Sequence, residues 1–256
     1  MARGKLAGKH ADGVEENVEE ILEELRGMAN PRNVEGMARF GINPQNTLGI
    51  SVTDLKPIAK RLGKDHRLAL ALWESGVHEA RALAAFVDDR AELTEAQMER
   101  WAADFDSWDI CDGCCLHLFG DSPLAWKKAV DWSKREEEYV KRAGYALMAV
   151  LAVHDKAALD AKFLRLLPHI VRGSKDERNF VRKAVNWAMR QIGKRNLALN
   201  KAAIAAAKEI LALDTKAARW IARDALRELE GEGVRARLVS RAQRERLKRP
   251  FKARRT

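Results

Sequence analysis

Apolar residues recur with a helical period along most of the chain, and no segment alternates as a half-buried strand does. Near the N-terminus, Val14, Val18, Ile21, Leu22 and Leu25 follow this period, with acidic residues between them. Ala, Leu, Lys, Arg and Glu dominate the 256 residues, which include only six prolines. Because the dominant residues are good helix formers, the sequence predicts an all-α protein.

The predicted helices are about ten to twenty residues long and are joined by short turns. Pairs of them recur at spacings of about 35–45 residues, as in HEAT-like helical repeats. Such repeats stack into a superhelical solenoid whose concave side forms a groove able to follow an extended partner. The predicted helices cover 14–28, part of 30–49, 51–62 (opened by a capping-box variant at Ser51 and Asp54), 65–74, 77–87, 94–104, 108–119, 123–133, 136–154, 158–172, 176–194, 197–213, 215–230 and 234–248.

Most of the net charge of +10 comes from the C-terminus. Residues 235–256 contain ten Arg or Lys against one Glu, a net of +9, so the remaining 234 residues carry +1. Basic tails of this kind often contact nucleic acid. The sequence therefore predicts a disordered leader (1–13), a helical-repeat domain (14–232) and a basic C-terminal tail (233–256).

One segment, Phe-Asp-Ser-Trp-Asp-Ile-Cys-Asp, combines a helix start with an aromatic ring and a carboxylate. Asp106 or Ser107 can cap the helix, and Asp109 falls in its first turn. Trp108 and Asp112 are four residues apart and therefore share one face. A ring beside an anion is a suitable surface for positive charge. The simpler interpretation is a capped helix with a buried Trp.

The predicted helix 176–194 carries a tryptophan outside its apolar side. Trp187 lies in a row with Lys183, Arg190 and Lys194, at helical spacing. This row is either a phosphate-binding stripe with an aromatic ring aimed at sugar or base, or a Trp that covers a neighbouring helix beneath solvated lysines.

The predicted helix 136–154 is apolar on nearly every side after Arg142 and should be buried at the centre of the fold. Lys141 and Arg142 lie at its wetter end. An arginine that enters such a helix needs a carboxylate or phosphate partner, and pairing within the protein is the usual outcome.

Composition excludes several other classes of protein. No apolar run approaches the roughly 20 residues of a membrane span. Cys111, Cys114 and Cys115 are too crowded for a disulfide framework, so a reducing cytoplasm is expected. On one helix they are also too compact for a tetrahedral zinc shell, so we expect core thiols, no metal and no cofactor. His78, His154 and His169 lack sequence partners for a nucleophilic triad.

Five segments stand out, in a fixed order, over about residues 35–230. They are Gly49-Ile-Ser-Val-Thr-Asp-Leu-Lys-Pro-Ile-Ala-Lys, Leu72-Trp-Glu-Ser with His78-Glu-Ala-Arg, Ser107-Trp-Asp-Ile-Cys-Asp, Val140-Lys-Arg-Ala and Asp176-Glu-Arg-Asn-Phe-Val-Arg-Lys-Ala-Val-Asn-Trp. Taken together, these segments resemble the AlkD-like DNA alkylation repair family of HEAT-like-repeat DNA glycosylases. The basic segment beyond them and the cysteine cluster have no counterpart in that resemblance.

The resemblance implies a monofunctional glycosylase that releases 3-methyladenine and 7-methylguanine from double-stranded DNA. It implies catalytic roles for Asp112, Trp108 and Trp187, which would converge on one groove, and a phosphate contact for Arg142. Lysines and arginines on helix faces, among them Lys141, Lys183, Arg190 and Lys194, would bind the DNA backbone. We expect a monomer in the cytoplasm that is associated with the bacterial nucleoid through DNA.

Two alternatives come from other functional classes. A non-catalytic HEAT-like protein that recognises branched or damaged DNA would keep the groove and the basic row but would not need Asp112. A protein-binding helical scaffold would not need Lys183, Arg190 and Lys194 beside Trp187.

Overall fold

The structure, a computed structural model, describes residues 17–248. Within that range the chain is helical and contains no β-strand, which confirms the all-α prediction. The predicted leader and residues 249–256 of the tail lie outside the described residues. The helices are α1 (17–27), α2 (Pro31–Arg39), α3 (Val52–Leu62), α4 (His66–Glu74), α5 (His78–Val87), α6 (Glu95–Ala103), α7 (Trp108–His117), α8 (Ala125–Trp132), α9 (Glu138–His154), α10 (Asp160–Gly173), α11 (Asn179–Gly193), α12 (Leu197–Leu211), α13 (Lys216–Leu229) and α14 (Glu232–Lys248), with a 3₁₀ turn at Phe119–Asp121.

Local capping explains where several helices begin. Ser51, Asp65, Thr94, Asn196 and Thr215 each occupy the N-cap, and each side chain accepts a hydrogen bond from the backbone N–H three residues later. A side-chain acceptor at this position satisfies an N–H group that the helix itself leaves without a partner. The predicted start of α3 at Ser51 is confirmed.

The start of α11 differs from its prediction. The helix begins at Asn179 rather than at Asp176, because the Asp176 carboxylate accepts hydrogen bonds from the backbone N–H and the guanidinium of Arg178. This Asx-type turn holds Arg178 in an extended conformation, with φ −63° and ψ 132°.

The described chain divides into two compact units, one up to Ala125 and one from Trp126. This division within residues 14–232 was not predicted from the sequence. The core of the first unit contains the stacked rings of Trp73 and Trp101, whose centroids are 4.0 Å apart with an interplanar angle of 3°. Offset-stacked aromatic rings of this size bury a large apolar area and hold α4 against α6.

In the second unit α9 is the central helix, and every residue from Arg142 to Ala152 is buried, as its apolar sequence predicts. A Cβ on Gly144 would lie 2.4 Å from the backbone nitrogen of Ser133. Glycine therefore allows α9 to approach the backbone at the end of α8 directly. Helix α9 packs most extensively against α11.

The basic segment that follows α13 is helical as far as Lys248, as its apolar spacing predicts. Val234 and Leu238 are buried, and α14 packs against α12 and α13. The predicted tail therefore begins with an ordered helix attached to the second unit. Among the described helices, none has the length and apolar character that crossing a membrane would require.

Candidate functional site

The N-terminal half of α7 carries both Trp108 and Asp112. Both side chains are half-buried, whereas Ile110, Cys111 and Cys114 on the other side of the helix are buried in the core. Asp112 is thus partly exposed at the surface of the unit rather than enclosed in its interior. The predicted helix that carries both residues, four positions apart, is confirmed.

A loop distant in sequence positions the start of α7. The indole Nε1 of Trp108 donates to the backbone oxygen of Phe40 at 3.1 Å. Asn43 donates from its backbone nitrogen to the Ser107 hydroxyl at 2.9 Å and from its amide to the Asp106 carboxylate at 2.8 Å. Three hydrogen bonds therefore orient the Trp108 ring and the chain that precedes it.

These contacts correct the predicted cap. Ser107 occupies the N-cap of α7, but its side chain makes no capping hydrogen bond to the helix. Its hydroxyl and the Asp106 carboxylate instead accept from Asn43, some 64 positions earlier. The long-range partner competes for the same oxygen atoms that a local cap would use.

Asp109 has a partner that the sequence did not predict. The imidazole Nε2 of His78 lies 2.9 Å from the Asp109 Oδ2 atom. Burial lowers the pKa of His78, but the hydrogen bond and the negative charge of Asp109 outweigh it, so the pKa is raised above 6.5. His78 was expected to lack partners for a nucleophilic triad; the structure gives it one acidic partner, Asp109. The Asp109 Oδ1 atom is buried and finds no hydrogen-bond partner within residues 17–248.

The side of α7 that carries Asp109 borders a cavity of about 450 Å³ in the first unit. Its lining is mostly apolar and comes from α2, α3, α5 and α7, with Trp108 at one edge. Cys114 also borders it, but burial raises the pKa of that thiol well above 9.0, so it is not a thiolate nucleophile beside His78. Asp112 is not among the lining residues.

On α11 the predicted basic row has three different environments. Trp187 is half-buried and Lys183 is exposed. Arg190 forms ion pairs with Asp224 and Glu228 of α13, and Lys194 bonds to Glu228 at 2.8 Å.

Arg190 and Lys194 therefore stabilise the packing of α11 on α13, which corrects the prediction of an uninterrupted phosphate-binding stripe. Burial raises the pKa of Glu228, but the hydrogen bonds from Lys194 and Arg190 lower it by more, and the net pKa lies below its ordinary value. Lys183, over the ring of Phe180 at 6.0 Å, is the member of the row whose charge faces solvent.

The two predicted cations of α9 also contact the protein itself. Arg142 is 6% exposed and donates to the backbone oxygen of Phe180 at 2.6 Å. The Lys141 ammonium lies 3.3 Å from the Asp176 carboxylate and 3.6 Å from that of Glu136. Both residues thus connect α9 to neighbouring segments of the second unit, in agreement with the expectation that such residues pair within the protein.

The three cysteines are buried free thiols, as their position on the inner side of α7 predicts. Within residues 17–248, no three His, Cys, Asp or Glu side chains are grouped as the ligands of a metal ion would be. Cys111, Cys114 and Cys115 therefore serve as small core residues between α7 and its neighbours.

The predicted site residues are distributed over both units. Trp108 and Asp112 lie together in the first unit, whereas Arg142, Lys183 and Trp187 lie in the second. Within each unit, these residues occupy the helices that their spacing in the sequence predicts. That all of them line a single groove remains a prediction.

The succession of short packed helices is that of a HEAT-like repeat protein. The fold of this chain matches a solved structure with a TM-score of 0.67. That structure comes from a new family of proteins related to the HEAT-like repeat DNA glycosylases with affinity for branched DNA structures. The match has 21% sequence identity and covers 75% of this chain and 82% of that chain. The prediction of a HEAT-like fold is confirmed.

The model of the DNA alkylation repair enzyme family matches residues 21–229. The chain belongs to that family, and the resemblance drawn from its sequence segments is confirmed. No curated protein matches the sequence. The matched region contains Trp108, Asp112, Arg142 and Trp187 but ends before α14.

Proposed function

We propose that the protein is a DNA glycosylase that hydrolyses the N-glycosidic bond of cationic N3- or N7-alkylated purines, such as 3-methyladenine and 7-methylguanine. The observation that carries this proposal is the pairing of a half-buried carboxylate and an oriented indole one turn apart on α7, at Asp112 and Trp108. Membership of the DNA alkylation repair enzyme family supports it.

The chemistry requires little beyond an anion and aromatic surfaces. Alkylation at N3 or N7 places a positive charge on the purine, which makes it a good leaving group. As the glycosidic bond breaks, the sugar acquires oxocarbenium character. In our proposal Asp112 stabilises that cation and orients the attacking water. The product is an abasic site in the DNA.

The two indoles make smaller contributions in this mechanism. Trp108 and Trp187 present ring faces to the deoxyribose and its developing charge. Cation–π interactions contribute about 0.5 to 2 kcal/mol each, which corresponds to roughly two- to thirtyfold in rate. Asp112 should therefore matter more than either ring. The family resemblance implies that the lesion need not be flipped into a deep pocket, unlike the usual strategy of DNA glycosylases.

The cations have separate roles in binding. Lys183 is exposed on α11 and is the strongest candidate for a backbone phosphate contact. Arg142, to which the family resemblance assigns a phosphate contact, and Lys141 would act where α9 meets the start of α11. We propose that a monomer acts on double-stranded DNA in the cytoplasm.

The test is to compare Asp112→Asn with Asp109→Asn, since both remove one carboxylate from α7. Each purified variant is incubated with methylated duplex DNA, and the freed bases are identified. We expect Asp112→Asn to abolish release of 7-methylguanine while DNA binding persists, because the amide carries no charge to stabilise the sugar cation. Asp109→Asn should retain excision. Release of the base at the wild-type rate by Asp112→Asn would exclude Asp112 from the mechanism.

A non-catalytic role in recognising branched or damaged DNA is the second candidate. The structurally similar protein described above comes from a family with affinity for branched DNA structures. Binding to a four-way junction well above binding to a linear duplex, without base release from methylated DNA, would favour this candidate over the glycosylase.

A further inference from the structure

Helix α14 lies beyond the residues that match the family model and carries much of the chain's excess positive charge. Its apolar residues Val234 and Leu238 are 5% and 4% exposed, and they pack the helix against α12 and α13. Burial of these two side chains fixes the rotation of the helix about its axis. The basic side chains of α14 are therefore presented in a defined direction by the folded unit.

Three arginines of α14 form one basic ridge. Arg237, Arg241 and Arg244 are separated by four and three residues, so they lie on the same side of the helix. All three are exposed. Together with Lys194 they border a depression of about 250 Å³ on the surface of the second unit. Arg235 is also exposed, but it lies roughly 120–180° around the helix from these three residues.

The carboxylates at the end of α13 are already bonded elsewhere. Glu228 pairs with Arg190 and Lys194, and Glu230 lies 3.3 Å from Lys208.

We propose that this ridge is a second contact for the phosphodiester backbone of duplex DNA, independent of base sequence. The inference rests on the proposed DNA-binding function. Arg237 and Arg244 are about 10 Å apart along the helix axis, while phosphates on one strand recur about every 3.4 Å along the duplex. The ridge can therefore follow two or three phosphates, which arginine binds with two parallel hydrogen bonds.

The position of the apolar residues favours DNA over a membrane surface. A helix that lies on a membrane needs an exposed apolar face beside its basic one. In α14, Val234 and Leu238 lie beside the ridge and are used for packing within the protein. Val239 and Leu247 of the same helix are 38% and 86% exposed, but they lie eight positions apart and do not form the continuous apolar face that a membrane-bound helix needs.

The test compares variants of the full chain that each lose one positive charge from the same helix. Arg237→Gln and Arg244→Gln, singly and combined, are measured against Arg235→Gln by titrating a methylated duplex at several salt concentrations. We expect the slope of log affinity against log salt to decrease by about one for each ridge arginine and by about two for the double variant. Arg235→Gln should change the slope by clearly less.

Two further measurements separate this inference from the proposed function. At saturating enzyme, the single-turnover rate of 7-methylguanine release by every ridge variant should equal that of the wild type. The thermal unfolding temperature of each variant should also be unchanged, because the arginines are exposed. If the wild type binds DNA and Arg235→Gln alters the slope as much as Arg237→Gln, the ridge is not a specific contact. The proposal would also be overturned if the ridge variants lost binding to anionic lipid vesicles while their DNA binding stayed unaltered. Failure of the wild type to bind any DNA would refute the proposed function itself.

Discussion

Asp109 and Asp112 are two carboxylates on one helix whose surroundings give them different roles. Asp109 lies against the buried imidazole of His78, in a side of the protein closed by α2, α3 and α5. Asp112 is one turn further on, half-buried beside the oriented ring of Trp108. The first carboxylate can neutralise a buried cation of the protein, and we propose that the second stabilises a cation of the substrate.

The His78–Asp109 pair makes stability depend on pH near neutrality. Burial lowers the pKa of His78, but Asp109 together with the charges of Glu79 and Asp106 raises it by more, so the folded-state pKa exceeds the unfolded value of 6.5. Protonated His78 therefore stabilises the fold fully below that value, and the contribution disappears as pH rises through the folded-state pKa. We predict that the free energy of unfolding decreases across this range, as measured by urea denaturation.

His78→Gln tests whether His78 causes this effect. The substitution should flatten the dependence of the free energy of unfolding on pH. His154→Gln replaces a histidine at the end of α9 and should leave it intact. An equal pH dependence in wild type and His78→Gln would assign the effect to another group.

At the level of elements, the packing of α11 on α13 decides which cations of the basic row reach solvent. Asp224 and Glu228 lie opposite Arg190 and Lys194, whereas Lys183 projects from an exposed position nearer the start of α11. Cations at equivalent helical spacing thus contribute differently to stability, because only some of them form ion pairs with the neighbouring helix.

This difference gives opposite expectations for Lys183→Gln and Arg190→Gln. Lys183→Gln should lower the salt slope of DNA binding by about one and leave stability unchanged, because it removes an exposed phosphate contact. Arg190→Gln should lower the free energy of unfolding by about 1–2 kcal/mol, because it breaks partly buried ion pairs. Salt titrations and urea denaturation of both variants provide the measurements, and reversal of the two outcomes would show that Arg190 is the DNA contact.

For the whole molecule, the proposed activity draws on both compact units. Trp108 and Asp112 come from the first, and Trp187 from the second. If both rings act on one sugar, removing one of them must change the effect of removing the other. The proposal of a single site therefore has an energetic consequence that can be measured.

We predict non-additive effects of Trp108→Leu and Trp187→Leu on single-turnover release of 7-methylguanine. Each substitution should slow excision by roughly two- to thirtyfold, in line with a loss of about 0.5–2 kcal/mol. The double variant should be less impaired than the product of the two effects, since each ring loses part of its role once the sugar is no longer held. Strict additivity would indicate that the rings act at separate places.

Much of the fold could be predicted from the sequence, because helix formation depends on local features. Apolar periodicity predicts α9 as a buried central helix, and the Ser51 cap predicts the start of α3. The same spacing places Trp108 and Asp112 on one face. Each of these predictions depends on atoms within a few residues of one another along the chain.

Tertiary structure alone decided which partners these side chains meet. Asn43 takes the oxygen atoms of Ser107 and Asp106, His78 takes the carboxylate of Asp109, and Glu228 pairs with Arg190. The partners in these contacts are about 30 to 65 positions apart. Their meeting depends on how the helices pack, which no local pattern specifies. The sequence by itself therefore determined the helices and the face that carries the candidate carboxylate, while packing determined which distant charged groups pair with one another.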